Sequence, residues 1–204
     1  ESAGAVIPED PATGAPIDSA ERLGQWFADQ SDSGSLVEYL KTFDVTLSVM
    51  QTAEGLQRIA KEFVEDLIDD GVIYGEIRWA PEQHLQSGLS LDGAVEAVQA
   101  GLNEAVAAAA KNGYDIQVGQ LISAMRQNDR SMDIANLALR HRGKGAVGFD
   151  TAGPEAGFPP SRFMEAFTLL ANEMFAVTIH AGEADGIESI RGALVDGHAL
   201  RLGH

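Results

Sequence analysis

Cysteine is absent from the 204 residues, which excludes disulfides, thiolate nucleophiles and Cys-type zinc sites, so that any metal must be held by His and carboxylates. Basic residues are scarce. With 14 Lys plus Arg against 31 Asp plus Glu, the formal net charge is -17. Such a field repels phosphate backbones and anionic headgroups, so neither nucleic acid nor a membrane surface is an expected partner. A small neutral or cationic substrate, or a metal ion, is compatible with it, and so is plain solubility. No apolar run reaches the roughly 20 residues that cross a bilayer, and the opening ESAGAVIPEDPATG lacks a basic segment followed by an apolar one. These absences predict a soluble, cytoplasmic protein. There is no G-x-x-x-x-G-K-[ST], no G-x-G-x-x-G after a strand and no G-x-S-x-G elbow, so nucleoside triphosphate, dinucleotide and serine-hydrolase readings lack their motifs.

What is present is enough apolar material, 45% of residues without a polar low-complexity tract, to bury one substantial core over 1–204. Residues 1 to about 18, rich in Pro, Gly and Ala, read as an extended surface segment, after which Asp18 with Glu21 resembles a helix start. From Thr52 to about Asp70, the residues Leu56, Ile59, Ala60, Phe63, Val64, Leu67 and Ile68 recur at the spacing of a buried helical stripe, ended by Gly71. VIYGEIRWAP follows as a buried strand running into a loop. The alternation then repeats. Helices near 90–112, 131–142, 161 onward and 187–195 precede strands at 116–125, 145–150, 175–180 and 200–204. Five strands spaced as successive βα units predict an α/β fold with a parallel sheet, open and doubly wound or closed into a barrel.

In parallel α/β folds the carboxyl ends of the strands face the site, and here those ends are polar: Arg78, Arg126, Asp150, His180 and His204. His180-Ala181-Gly182-Glu183 sets an imidazole at a strand end and a carboxylate three residues on. A neutral imidazole ligates zinc while a nearby carboxylate handles protons; a core His beside a solvated Glu is the alternative. His204 stands after Leu-Gly at the next strand end, as either a structural or a catalytic His. Gly153 lies where bare backbone would approach a planar ligand, or serves as an ordinary turn residue before Pro154. His84, His141 and His198 fall on loops or helix ends and are expected at the solvated surface.

These residues resemble a known family, the adenosine deaminases of the amidohydrolase group, bacterial type, from about Ser35 onward. FVEDLIDDGVIYGEIRWAPEQH resembles that family's second strand with its preceding helix, GAVGFDTAGPEAGFPP its fourth strand and loop, FAVTIHAGE its fifth and LRLGH its sixth. The resemblance implies a zinc-containing TIM-type (β/α)8 barrel, incomplete here, that adds water to C6 of adenosine and expels ammonia to give inosine. It implies His180 as a zinc ligand and Glu183 as the group that protonates purine N1. It implies His204 as the His that assists the attacking hydroxide and the Gly153 N–H as donor to purine N3. Leu36, Tyr39 and Phe43 resemble the apolar lid over the substrate, with Tyr39 where the family often has Phe; a helix face explains all three equally well.

The departures are as informative. No His-x-His like that of the family's first strand occurs in the chain, and the Asp-Asp present, Asp69-Asp70, ends a helix rather than a strand as in the family's eighth, so strands one, seven and eight are expected to be missing. Both ends then read as cut, and the fragment alone is expected to be inactive. Two alternatives stay open: a deaminase of adenine or another modified adenosine, and a non-catalytic barrel that binds a purine nucleoside.

Overall fold

Ser19, rather than the expected Asp18, starts the first helix: its hydroxyl accepts the Arg22 amide at 3.3 Å, and α1 runs Ala20–Ser31. A side-chain oxygen one residue before the first helical turn satisfies an amide that the helix itself leaves unpaired. The computed structural model describes residues 5–204, in two compact units, Glu1–Gln51 and Thr52–His204. The first unit adds two short helices, α2 at Leu36–Leu40 and α3 at Thr42–Ser48. Its leading segment turns back on itself, with the Ile17 amide donating to Pro8 O and the Asp10 amide to Ala15 O.

The second unit alternates helix and strand throughout. In chain order it contains α4 (Ala53–Asp69), β1 (Tyr74–Trp79), α5 (Leu91–Lys111), β2 (Gln117–Met125), α6 (Ser131–Arg140) and β3 (Ala146–Ala152). These are followed by α7 (Met164–Asn172), β4 (Thr178–Ile179), α8 (Ile187–Val195) and β5 (Arg201–Leu202). Thr52 and Ser90 cap α4 and α5 through their hydroxyls, and Gly71 takes φ 77° just past α4, the left-handed conformation expected of it. The helix expected from Ser161 begins instead as a 3-10 turn over Pro160–Phe163, with Pro160 at its first position, where an amide would have no partner within the helix.

All strand pairs are parallel. β1 pairs with β2, β2 with β3, and β4 with β5, while a single bridge between Phe149 and Val177 joins β3 to the residues entering β4. The expected strands at 175–180 and 200–204 are thus shorter, so that His180 and His204 stand just beyond them. Side chains alternate across this sheet. Ile77, Ile122, Phe149 and Ile179 face the helices, where Ile122, Phe149 and Ile179 are fully buried with Ile134, Leu137, Phe167 and Leu170. The other face is polar, carrying Glu76, Arg78, Ser123, Asp150, Thr178 and Arg201. It is concave enough for Arg201 of β5 to pair with Glu76 of β1 at 2.7 Å. Partial burial pushes the Glu76 carboxyl up, but hydrogen bonds from Arg201 and Tyr74 outweigh this and hold it below its ordinary value. The pairing therefore contributes fully above the usual carboxylate range and is lost as pH falls through the lowered folded value.

α4 and α5 approach each other through Gly101, where a Cβ would meet Gln57 O at 2.1 Å and the Ala60 methyl at 3.0 Å. Backbone cannot yield as a side-chain tip does. Gly101→Ala is therefore expected to force the helices apart and lower stability by about 1–3 kcal/mol, read as a reduced midpoint of thermal or urea unfolding. Among the described residues no helix is long and apolar enough to cross a membrane.

Candidate active site

Because the strands are parallel, their carboxyl ends share one edge, and that edge collects the ionisable groups. His180 follows β4 immediately. Its Nδ1 lies 3.0 Å from the Asp150 carboxylate and 3.0 Å from Thr151 O. A carbonyl oxygen only accepts, so Nδ1 is the donor here, and in the neutral ring the lone pair is then on Nε2. Asp150, fully buried on β3, is steadied in turn by the Ser123 hydroxyl of β2, which donates at 2.8 Å. This is a carboxylate-backed imidazole presenting one free nitrogen, the arrangement in which His binds metals.

His204 reaches the same place from β5. The rings of His180 and His204 are 5.3 Å apart at 37°, and His204 Nε2 lies 3.5 Å from Glu183 Oε2. Three side chains that the sequence reading singled out, His180, Glu183 and His204, thus stand together. Gly153 follows β3 on the same edge with φ 93°, and a Cβ there would meet Gln127 Oε1 at 2.5 Å. The backbone angle calls for glycine, whereas the Gln127 tip can turn aside.

Leu36, Tyr39 and Phe43 belong to the first unit. Tyr39 and Phe43 stand edge to face, 5.5 Å between centroids, and both are exposed. The surface expectation holds for His198, which is exposed, and fails for two other histidines. His84 is buried beside Trp79. His141 is buried with its Nε2 2.8 Å from Asp92, a carboxylate that also receives Arg140. For His141 the Asp92 carboxylate satisfies a ring nitrogen, which makes burial of a polar group tolerable.

Sequence reasoning gave no individual role to several groups that build this edge. Arg126, fully buried, donates to His180 O and, at 3.2 Å, to Phe158 O. Burial pushes its guanidinium down from the ordinary value, opposed by the charges of Glu155, Asp150, Glu183 and Asp185. Glu82, after β1, accepts the Met125 amide and the Asn128 side chain, both at 2.8 Å. Glu155 accepts hydrogen bonds from the turn that carries Glu183. One sequence signal was available for Asp150, an acid at the end of the strand preceding that of His180; nothing local distinguishes Glu155 from a solvated loop residue.

Tested against a zinc ion, the donor set fits in kind and falls short in number. His180 Nε2 is a suitable ligand with its supporting carboxylate, yet among the described residues no group of three or more His, Asp or Glu is placed to hold a metal ion. A structural or catalytic zinc site takes three or four protein ligands, so His180 supplies one member of a set.

Fold and site together define an α/β protein with parallel strands whose carboxyl edge gathers imidazole and carboxylate, where parallel α/β folds place their sites. The family model for adenosine deaminase matches residues 10–204, and the chain belongs to that family. Adenosine deaminase 1 of Streptomyces coelicolor is 53% identical over 93% of this chain and 48% of its own length. A zinc-bound amidohydrolase from Burkholderia ambifaria superposes with TM-score 0.76 and 25% identity over 94% of this chain and 51% of its own. An Arabidopsis N6-mAMP deaminase does so with TM-score 0.74 and 30% identity, over 91% and 59%. The chain spans about half the length of the curated relatives it matches.

Proposed function

We propose that this chain is part of an enzyme that hydrolyses adenosine to inosine and ammonia, and that its strands are numbers 2 to 6 of a TIM-type (β/α)8 barrel. The parallel pairing within β1-β2-β3 and within β4-β5, the Phe149–Val177 bridge between the two sheets, and the pairing of Glu76 with Arg201 support the barrel. The observation that carries the functional reading is the gathering of His180, Glu183 and His204 at one edge, within a chain of this family.

In this reading His180 holds zinc through Nε2, with Asp150 and Thr151 fixing the ring. The bound ion supplies Lewis-acid activation of water at neutral pH. Glu183 delivers a proton to purine N1, which makes C6 electrophilic; His204 orients the water and takes one of its protons as the oxygen bonds to C6; that proton passes to the 6-amino group, which leaves as ammonia when the C–N bond breaks, and the C6 hydroxyl proton returns to Glu183 as the carbonyl forms. The Gly153 amide donates to purine N3. Leu36, Tyr39 and Phe43 enter only through the resemblance, as apolar contacts to the purine. Purine metabolism in the cytoplasm is the corresponding setting. The 204 residues alone are expected to bind no stoichiometric zinc and to turn over no adenosine, since among the described residues no group of three donors is placed to hold the ion.

A second reading, a deaminase of a modified adenosine, is supported by the 30% identity to the N6-mAMP deaminase. The net charge of -17 disfavours a substrate carrying phosphate. Assay of the full-length protein on adenosine, adenine and N6-methyl-AMP decides between them. Adenosine is expected to have the highest kcat/KM, by about tenfold or more. A preference for either of the others would overturn the adenosine assignment.

A further inference from the structure

Glu155 is an acid with almost no access to water, 2% exposed, on the loop that follows β3. Its carboxylate accepts four hydrogen bonds. Oε1 takes the Gly182 amide at 2.7 Å and the Ser189 hydroxyl at 2.5 Å; Oε2 takes the Glu183 amide at 3.1 Å and the Ala184 amide at 2.7 Å. Three successive amides converging on one carboxylate form an anion-binding concavity, here filled by the protein's own side chain. Arg126 holds the opposite end of the same turn by donating to His180 O. The turn between His180 and α8 is therefore gripped at its carbonyl end by a buried cation and at its amide end by a buried anion.

We infer that Glu155 is a positioning residue that sets the backbone of Gly182–Ala184 and thereby fixes where the Glu183 carboxylate stands relative to His180 and His204. This rests on the reading of Glu183 as the proton-transfer group. A turn with glycine at position 182 has little stiffness of its own, and an acid that must deliver a proton loses most of its effect when displaced by about 1 Å. Burial would raise the Glu155 carboxyl, but the Ser189, Ala184 and Gly182 hydrogen bonds and the Arg126 charge outweigh it and hold the group below its ordinary value, so it is an anion at neutral pH. Its contacts to Glu183 run through that residue's amide, so it acts through Glu183 and not on a substrate.

The test is Glu155→Gln in the full-length protein, read by hydrogen exchange and by kinetics. A carboxamide keeps the volume but sets an N–H₂ where an acceptor stood. Only the Ser189 hydroxyl can turn to accept from it, which leaves the Gly182 amide without a partner and removes the charge from the other two. Exchange of the Gly182, Glu183 and Ala184 amides is expected to accelerate about tenfold or more, with β2 amides such as Ile122 unchanged. On adenosine, kcat is expected to fall about tenfold with little change in KM, and Glu155→Gln combined with Glu183→Gln to be no slower than Glu183→Gln alone. Unchanged exchange at the three amides would overturn the inference, and so would multiplicative losses in the double variant. If protection were lost in β2 as well, Ser189→Ala decides: a smaller acceleration confined to the same amides supports the clamp, and none rejects it. If the wild-type protein turned over no adenosine, the functional reading would fall while the exchange data still decided the clamp.

Discussion

Glu183→Gln is expected to lower kcat for adenosine by about 10²–10⁴-fold in the full-length protein while leaving its metal content unchanged. The physical reason is that the carboxamide is nearly isosteric with the carboxylate but can neither take up nor release a proton near neutral pH. The hold on its backbone is untouched, because Glu155 contacts the amide of Glu183 and not its side chain. His180 keeps both of its supports, Asp150 and Thr151 O, so the ligand that this chain supplies is undisturbed. Adenosine binding is expected to change little, and the loss should fall on kcat. Rates from the absorbance change between adenosine and inosine, with metal measured on the same samples, give the answer. Equal turnover by the variant would remove Glu183 from the chemistry, and a parallel loss of metal would assign it to the ligand set.

His180→Ala is expected to empty the metal site of the full-length protein, and Asp150→Asn to weaken metal affinity by about 10–100-fold. The two substitutions act at different depths. Removing the imidazole takes away a donor atom. Replacing Asp150 leaves an oxygen that can still accept from Nδ1 but removes the negative charge that makes Nε2 a better donor, and it disturbs the acceptor of the Ser123 hydroxyl. Competition with a chelator measures both. Undiminished metal in His180→Ala would reject His180 as a ligand. An unaltered dissociation constant in Asp150→Asn would reduce that residue to packing.

The periodic elements of this protein were legible because they depend on neighbours in the chain. The stripe from Leu56 to Ile68 repeats at three and four residues, and α4 lies where that spacing predicts. β2 and β3 fall within one or two residues of their expected bounds, since runs such as QLISAM and AVGFD are rich in apolar and β-branched residues. The polar strand ends were equally legible, for the reason that parallel strands bring their carboxyl ends to one edge. The errors have a common origin. His84 and His141 look like loop residues in sequence, and folding alone brings Trp79 against the first and the Asp92 carboxylate to the second. The shortening of β4 and β5 likewise depends on pairing partners rather than on the composition of FAVTIH or LRLGH.

The sequence by itself determined the alternation of helix and strand, the parallel sheet, and the presence of an imidazole and a carboxylate three residues apart at a strand end. Tertiary structure decided which nitrogen of His180 is free, through Asp150 thirty residues earlier, and how the Glu183 turn is held, through Glu155 and Arg126. The division follows from range. Backbone periodicity is set by residues a few positions apart, whereas the protonation and orientation of a buried polar group depend on which distant acceptors and charges the sheet carries to within about 3 Å.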